Sequence, residues 1–347
     1  MFYIRADANE IIGTGHIMRC MSIAEEMRSR GIEVIFITAD NFPDEIIFSR
    51  KFQSICLNSK WEDLDNEVNV LSRLIRNKKI HIILIDSYFI TYKYLQEICK
   101  LVKVIYIDDL GEINYPVDVL INYNIYAKGI NYKKLLDDGN TKLLLGEKYV
   151  PLRSEFHNIK TSFREKVQSV LISTGGADNY NITGKLLKNI INVPDFSDIQ
   201  FYVISGKLNS GVNKLLDMEK AYNNIHICQN VIYVSEIMCK CDVAISACGL
   251  TMYELCACGV PVLTFSFADN QIPGLNGFEE KELAVNCGDW CTGMEMVISN
   301  ICVRLKEFIL NTCLRKKMYT KIINLIDGNG SKRIVNEIMN IYKNNIF

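Results

Sequence analysis

The chain of 347 residues carries almost no net charge, with 39 lysines and arginines against 40 aspartates and glutamates. Without a basic field to gather phosphates, nucleic acid and anionic membrane surfaces are excluded as default partners, and a small ligand is expected instead. Long apolar runs are also missing: no stretch approaches the roughly 20 residues that span a bilayer. The opening "MFYIRADANE" turns polar after four residues, unlike a secretory leader. A cytoplasmic protein with no membrane insertion is therefore expected. Histidines number only 4, and the 13 cysteines are odd in number with no pair of CxxC motifs, which argues against zinc sites and disulfide frameworks. The cysteines read as reduced, mostly buried thiols, and neither a metal nor a cofactor is expected.

What is present is a rhythm. Apolar, β-branched runs alternate with helical patterns: "FYIR", a helix over 16–30, then "VIFIT", "IHIILID", "KVIYID" and "DVLIN". Strands this apolar on both faces suit a parallel sheet covered by helices on each side. A second series begins near residue 167 with "VQSVLISTGG", continues through helices around 181–192 and 210–221 with "IQFYVISG" and "IHIC", and ends in "DVAIS", a helix and "PVLTF". Between them, residues 147–166 carry proline and charge without a sustained period and read as a linker. The expected fold is α/β, two doubly wound Rossmann-like domains facing across a cleft. The first spans 1–150 and the second 151–347, the latter ending in helices over 301–326 and 331–345 that can pack back on the first.

In open parallel sheets, ligands bind beyond the carboxyl ends of the strands, and each candidate motif falls at such a place. "GTGH" puts Gly13 and Gly15 where the backbone can approach a ligand, with His16 at the mouth of the cleft. An imidazole can take a proton from water at cellular pH, and a helix start disfavours the imidazolium. A structural role at the helix start is the alternative for this histidine. "STGGADNY" offers Gly175 and Gly176 as a diphosphate cradle, or as a plain strand-to-helix turn. In "SACGLTMYELCACGVPVLTFSFADNQ", Gly249 ends a strand, Leu250 and Thr251 open a helix that can face phosphate, and Glu254 one turn on can accept from a ribose diol. Asn270 and Gln271 then supply side-chain amides for sugar hydroxyls, with an Asx turn as the alternative. Asp63 and Asp65 in "WEDLDNE" have the spacing of some metal-dependent glycosyltransferases, but read better as the acidic start of a helix. Asp108 and Asp109 in "IDDLG" either face the cleft or turn the chain.

Taken in order, "RADANEIIGTGHIMRCMSIA", "IDSY", "IDDL" with "DVLIN", "LLGEKYVPLRSEF", "ISTGGAD" and "GLTMYELCACGVPVLTFSFADNQ" resemble the UDP-2,4-diacetamido-2,4,6-trideoxy-β-L-altropyranose hydrolases of pseudaminic acid biosynthesis. The resemblance runs from residue 1 to about 275. Thr174, Cys248 and the pair Met252–Tyr253 depart from the residues usual in that family. The family is similar in fold to the GT-B glycosyltransferase that adds N-acetylglucosamine in peptidoglycan synthesis. The resemblance implies metal-independent, inverting hydrolysis of a UDP-sugar, with His16 activating water and Tyr88 and Asn270 near the sugar. It also implies substrate contacts from Arg5, Asp7, Gly13, Gly15, Gly175, Gly176, Gly249, Leu250, Thr251, Glu254 and Gln271, and is compatible with contacts to neighbouring biosynthetic enzymes.

Overall fold

Strands form where β-branched and aromatic residues run together, and the most apolar of these runs occupy the sheet interiors. The structure, a computed structural model, describes residues 1–136 and 140–344. One unit comprises Met1–Arg153 together with the residues from Asn329 onward; the other is Ser154–Gly328. In the first, β1 (Phe2–Ala6), β2 (Val34–Thr38), β3 (Gln53–Cys56), β4 (Ile82–Asp86), β5 (Lys103–Ile107), β6 (Val119–Asn122) and β7 (Lys142–Leu145) form one sheet in the order β3-β2-β1-β4-β5-β6-β7. Its helices include α1 (Gly15–Ser29), α2 (Asp44–Ser49), α3 (Leu64–Lys78) and α4 (Tyr92–Cys99).

The second unit repeats the plan. Its helices are α5 (Ile182–Ile190), α6 (Val212–Ala221), α7 (Val234–Lys240), α8 (Leu250–Ala257), α9 (Ile272–Glu280), α10 (Trp290–Leu310) and α11 (Thr312–Ile322). They accompany β8 (Ser169–Ser173), β9 (Gln200–Ser205), β10 (Ile225–Gln229), β11 (Val243–Ala247), β12 (Val262–Ser266) and β13 (Val285–Asp289), in the order β10-β9-β8-β11-β12-β13. Every strand pair in both sheets is parallel. Among the described residues no helix is long and apolar enough to cross a membrane.

Three strands, β3, β7 and β13, have no counterpart in the apolar runs read from the sequence. All three lie at sheet edges and are largely half-exposed. An edge strand has less apolar surface to bury, so its composition announces it less clearly; of the four edge strands only β10, with "IHIC", shows in the sequence.

The last helix, α12 (Gly330–Asn344), packs back on the first unit, as foreseen for the terminal helices, and so belongs to that unit and not to a domain of 151–347. It packs on α1 through one apolar face, with Ile334, Val335 and Ile338 fully buried. The Ser331 hydroxyl donates to the Leu152 carbonyl (3.2 Å) and Arg333 Nη1 to the Lys148 carbonyl (3.0 Å). At its first residue, Gly330, an added Cβ would collide with the Val150 carbonyl. Gly330→Ala is therefore expected to cost about 1–3 kcal/mol by overpacking, read as a lower denaturant midpoint. An unchanged midpoint would show that this start of α12 yields freely.

Candidate functional site

Sheet register decides which side chains of the first unit meet. Ala6 at the end of β1 lies opposite Asp86 at the end of β4, Asp86 opposite Ile107 of β5, and Ile107 opposite Ile121 of β6. Asp86, Asp109 and Tyr123 therefore emerge side by side at the carboxyl ends of adjacent strands. The strand order reverses between β1 and β4, the place where open α/β sheets bind ligands, and α1 starts there. The loop ahead of α1 is closed by Asn9, whose side-chain oxygen accepts from the amides of Ile11 and Ile12, both at 2.8 Å. Gly13 follows with φ +69, a left-handed conformation that favours glycine, and there is open space around both Gly13 and Gly15.

His16 and Arg19, one turn apart on α1, point at this row. His16 Nδ1 lies 2.7 Å from Asp86 Oδ1. Arg19 donates from Nε to Asp86 Oδ2 (2.6 Å), from Nη2 to Asp86 Oδ1 (2.5 Å), and from Nη1 to Asp109 Oδ2 and the Tyr123 hydroxyl (2.7 Å each). Two groups compete for Nδ1: the Asp86 carboxylate oxygen at 2.7 Å, which only accepts, and the Arg19 Nη2 at 3.2 Å, which only donates; the shorter contact favours a proton on Nδ1, with the Nε2 lone pair outward from the pair. Nε2 makes no hydrogen bond to a described residue. The ring of Tyr88 meets the imidazole edge-on, centroids 4.4 Å apart, and so fixes its plane. His16 is only 4% exposed, more enclosed than a residue at the mouth of a cleft. Two charged groups stand against the ring in addition to the helix start, Asp86 at 2.7 Å and the Arg19 guanidinium at 3.2 Å.

The charges in this cluster sustain one another. Burial alone would raise the Asp86 carboxyl, but the Arg19 guanidinium and His16 hold it well below the usual carboxylate range. Burial opposes the charge on Arg19 as well, and the carboxylates of Asp109 and Asp86 more than restore it. Burial, with Asp109 adding to it, pushes the Tyr88 hydroxyl far above its ordinary range, so it remains a phenol. Asp109 thus faces the cluster. Asp108 does the other job foreseen for this pair, accepting from the amides of Leu110 and Gly111 (3.0 Å each) to turn the chain.

Arg5 and Asp7 are placed differently from expectation. Arg5 is 1% exposed and donates from Nε and Nη2 to both oxygens of Glu67 (2.8 Å each) and from Nη1 to Asp7 (2.5 Å). Asp7 also accepts from the Ala39 amide (2.7 Å), and Glu67 from the hydroxyls of Ser59 and Tyr94. Of the two residues expected to touch substrate, Arg5 instead ties β1 to α3 from within, and Asp7 braces Arg5 and the end of β2. Asp63 caps α3, accepting from the Asn66 amide, and Asp65 lies in its first turn, as read from the sequence. Among the described residues no three His, Cys, Asp or Glu side chains gather as a metal would require.

In the second unit, register brings Ser173 opposite Ser246 and Ala247 opposite Phe265, so the loops carrying Gly175, Gly249 and Asn270 leave one edge of the sheet. Gly175 needs its glycine, with φ +97, and sits against the Phe267 ring. The expected helix-start cradle beside Gly176 is not available. Helix α5 begins only at Ile182, and Asp178 accepts from the Ile182 (2.7 Å) and Thr183 (3.1 Å) amides. A carboxylate already sits where a phosphate would. Burial raises the Asp178 pKa, with these hydrogen bonds opposing. Helix α8 differs: Gly249 at its N-cap supplies no capping side chain, and no acid lies in its first turn. Leu250 and Thr251 are half-buried there, and Glu254 is 8% exposed one turn on. Asn270 is exposed on the turn Asp269–Gln271. Gln271 is engaged in closing that turn, accepting from the Phe267 amide (2.9 Å).

No protein-family model matches the chain. Curated proteins that resemble it include the following three. Uncharacterized protein MJ1062 of Methanocaldococcus jannaschii is 28% identical over 75% of this chain and 54% of its own, so the chain spans about half the length of that relative. Spore coat polysaccharide biosynthesis protein SpsG of Bacillus subtilis is 23% identical over 99% of both chains. The UDP-2,4-diacetamido-2,4,6-trideoxy-β-L-altropyranose hydrolase of Campylobacter jejuni is 26% identical over 64% of this chain and 76% of that protein. Among solved structures, Acinetobacter baumannii MurG aligns with a TM-score of 0.65 at 12% identity, covering 98% of this chain and 100% of that one. The spinosyn rhamnosyltransferase SpnG aligns with a TM-score of 0.64 at 10% identity, covering 97% and 100%. The structural likeness shows the fold, two Rossmann-like α/β units of the GT-B type.

Asp86, Arg19, Asp109 and Tyr123 complete the histidine site, and reading the sequence alone did not single out Asp86, Arg19 or Tyr123. An arginine three residues after a candidate base on one helix, and an aspartate ending an otherwise apolar strand, are the signals that point to them. The structural role of Arg5 has its own test. Glu67→Ala leaves a buried guanidinium without its two-pronged partner and is expected to cost about 3–5 kcal/mol, seen as a fall in denaturant midpoint. A stable variant that has instead lost affinity for substrate would return Arg5 to the ligand-binding set.

Proposed function

We propose that the chain hydrolyses a UDP-linked amino sugar at its anomeric carbon, releasing UDP and the free sugar, with His16 as the base that activates water. The observation that carries this reading is the 2.7 Å contact from His16 Nδ1 to Asp86, which leaves Nε2 free to take a proton. Water attacks C1 as the bond from C1 to the diphosphate oxygen breaks; the electron pair leaves with UDP, and the proton of water passes to Nε2. Asp86 then faces an imidazolium and stabilises it, the role of the buried aspartate in hydrolytic triads. A single displacement inverts the anomeric configuration. UDP is already a good leaving group, so the scheme contains neither a dedicated general acid nor a metal-assisted step.

The uncapped start of α8, with Gly249, Leu250 and Thr251, supplies amide dipoles for the diphosphate. Glu254 takes the ribose and Asn270 the sugar, with Tyr88 setting the imidazole plane. The sugar class follows the relative from C. jejuni, which is named for a 2,4-diacetamido-2,4,6-trideoxy-β-L-altropyranose substrate. On this basis the chain acts in pseudaminic acid biosynthesis. A second reading, transfer of the sugar to an acceptor other than water, is favoured by the fold shared with a rhamnosyltransferase.

Incubation of the purified chain with this UDP-sugar in water, without acceptor, separates the two: free sugar of inverted configuration and UDP, followed by NMR, are expected. No release until an acceptor is added would establish the transferase. A positioned base contributes about 10²–10⁴ in rate, so His16→Asn is expected to lose at least about a hundredfold in kcat with UDP affinity by calorimetry unchanged. Near-normal turnover in that variant would remove His16 from the mechanism.

A further inference from the structure

Exposed apolar side chains in the first unit are not scattered. Among its described residues, five of the eight large ones, Ile11, Phe42, Phe89, Tyr92 and Leu110, lie in or beside the loops that follow β1, β2, β4 and β5. Those loops leave the carboxyl ends of the strands, the same edge from which Asp86 and Asp109 emerge. Apolar side chains gathered at one edge mark a contact surface, whereas single ones need no explanation.

Phe89 adjoins the histidine site, because it directly follows Tyr88, whose ring meets the His16 imidazole edge-on. Its own place is fixed by hydrogen bonds on both sides. The Phe89 amide donates to Ser87 Oγ (3.1 Å), and the Ser87 carbonyl accepts from the Tyr106 hydroxyl (3.0 Å). Thr91 caps α4 by accepting from the Tyr94 amide (3.0 Å), and its hydroxyl donates to Asp65 Oδ1 in the first turn of α3 (2.6 Å). That last bond ties the loop after β4 to the start of α3, just beyond Trp61. The Trp61 and Phe89 rings meet with centroids 5.0 Å apart and planes at 80°. Phe89 stays 38% exposed and Trp61 half-buried. The Trp61 indole N–H makes no hydrogen bond to a described residue. A pinned aromatic pair left partly in water, with a donor to spare, is suited to a ligand that is both apolar and polar.

We propose that Trp61 and Phe89 form the subsite for the C4 acetamido group of the sugar, its methyl packing on the Phe89 ring and its carbonyl accepting from Trp61 Nε1. An acetamido group presents a methyl and a carbonyl oxygen together, which is what this pair can receive. The inference rests on the UDP-sugar reading above. In that reading C1 faces His16 Nε2, and C4 lies across the pyranose ring from C1, so its substituent extends away from the imidazole by the width of the sugar. Tyr88 spans the same interval in the protein, between His16 and Phe89. A sugar with a hydroxyl at C4 would bring no methyl to the aromatic surface, so the pair discriminates between the two substituents.

The test reads binding, so it stands apart from whether water or another acceptor takes the sugar. Calorimetry on the full chain carrying His16→Asn, which slows turnover, compares UDP, UDP-N-acetylglucosamine and the UDP-linked 2,4-diacetamido-2,4,6-trideoxy sugar. The diacetamido sugar is expected to bind at least about tenfold more tightly than UDP-N-acetylglucosamine. Adding Phe89→Ala should remove about tenfold of that preference, and adding Trp61→Phe, which keeps a ring but no donor, about threefold to tenfold, with UDP affinity unchanged in both. A preference that survives Phe89→Ala, or an equal loss for both sugars, overturns the subsite and leaves the UDP-sugar reading in place. Affinity for neither sugar beyond that for UDP would remove the UDP-sugar reading itself, and the subsite with it. A second measurement keeps the pair intact, should Phe89→Ala fold poorly. With only 2 tryptophans in the chain, the Trp61 indole N–H signal in ¹⁵N spectra is assigned by its loss in Trp61→Phe. It is expected to sit at a different position with the diacetamido sugar bound than with UDP-N-acetylglucosamine bound; one position for both at saturation overturns the proposal.

Discussion

A buried carboxylate surrounded by donors organises the first unit. Asp86 is 1% exposed and receives Arg19 through two nitrogens, His16 through Nδ1 and the Cys20 thiol at 3.4 Å. A buried ion of this kind survives only where partners compensate for the water it has lost. Arg19 provides that compensation and carries it onward to Asp109 and Tyr123. The ends of β4, β5 and β6 and the start of α1 are thereby held in one polar network. The imidazole of a histidine on a loop-flanked first turn inherits its orientation from that network.

The two units treat the starts of their helices in opposite ways. In the second, α5 is satisfied from within by the carboxylate of Asp178, and its glycine-rich approach serves the turn. Helix α8 follows an exposed glycine with no capping side chain, which leaves its amide dipoles for an anion. In the proposed function that contrast assigns the diphosphate to one of two motifs that look alike as text, because glycines before a helix say nothing about whether an aspartate folds back to cap it.

Much of the architecture was legible because parallel strands buried on both faces must be apolar throughout. β1, β2, β4, β5, β6, β8, β9, β11 and β12 coincide with such runs; of the four edge strands only β10 does, through its short "IHIC", while β3, β7 and β13 do not. His16 stood out by its glycine neighbours, and Asp63 by its place before a helical pattern. Asp86 and Arg19 were not legible as partners, since they are 67 residues apart and meet only because β1 and β4 are neighbours across the point where the strand order turns. Arg5 and Asp7 share one face of an extended segment, which resembles a ligand clamp. Arg5 is instead held by Asp7 itself and by Glu67, a fully buried acid inside a helix whose sequence reads as a polar surface. The membership of α12 depends on contacts to α1, and no linear boundary signal reports those.

The state of the His16 ring tests the account most directly. With only 4 histidines in the chain, ¹⁵N-labelled histidine spectra at about pH 9, above the ordinary imidazole range, can be assigned by comparison with His16→Asn. The expected spectrum for His16 is a neutral ring protonated at Nδ1 and bare at Nε2, a preference that disappears in Asp86→Asn. A His16 ring protonated at Nε2 in the unaltered chain would contradict the account, because the atom assigned to receive the proton of water would already hold one.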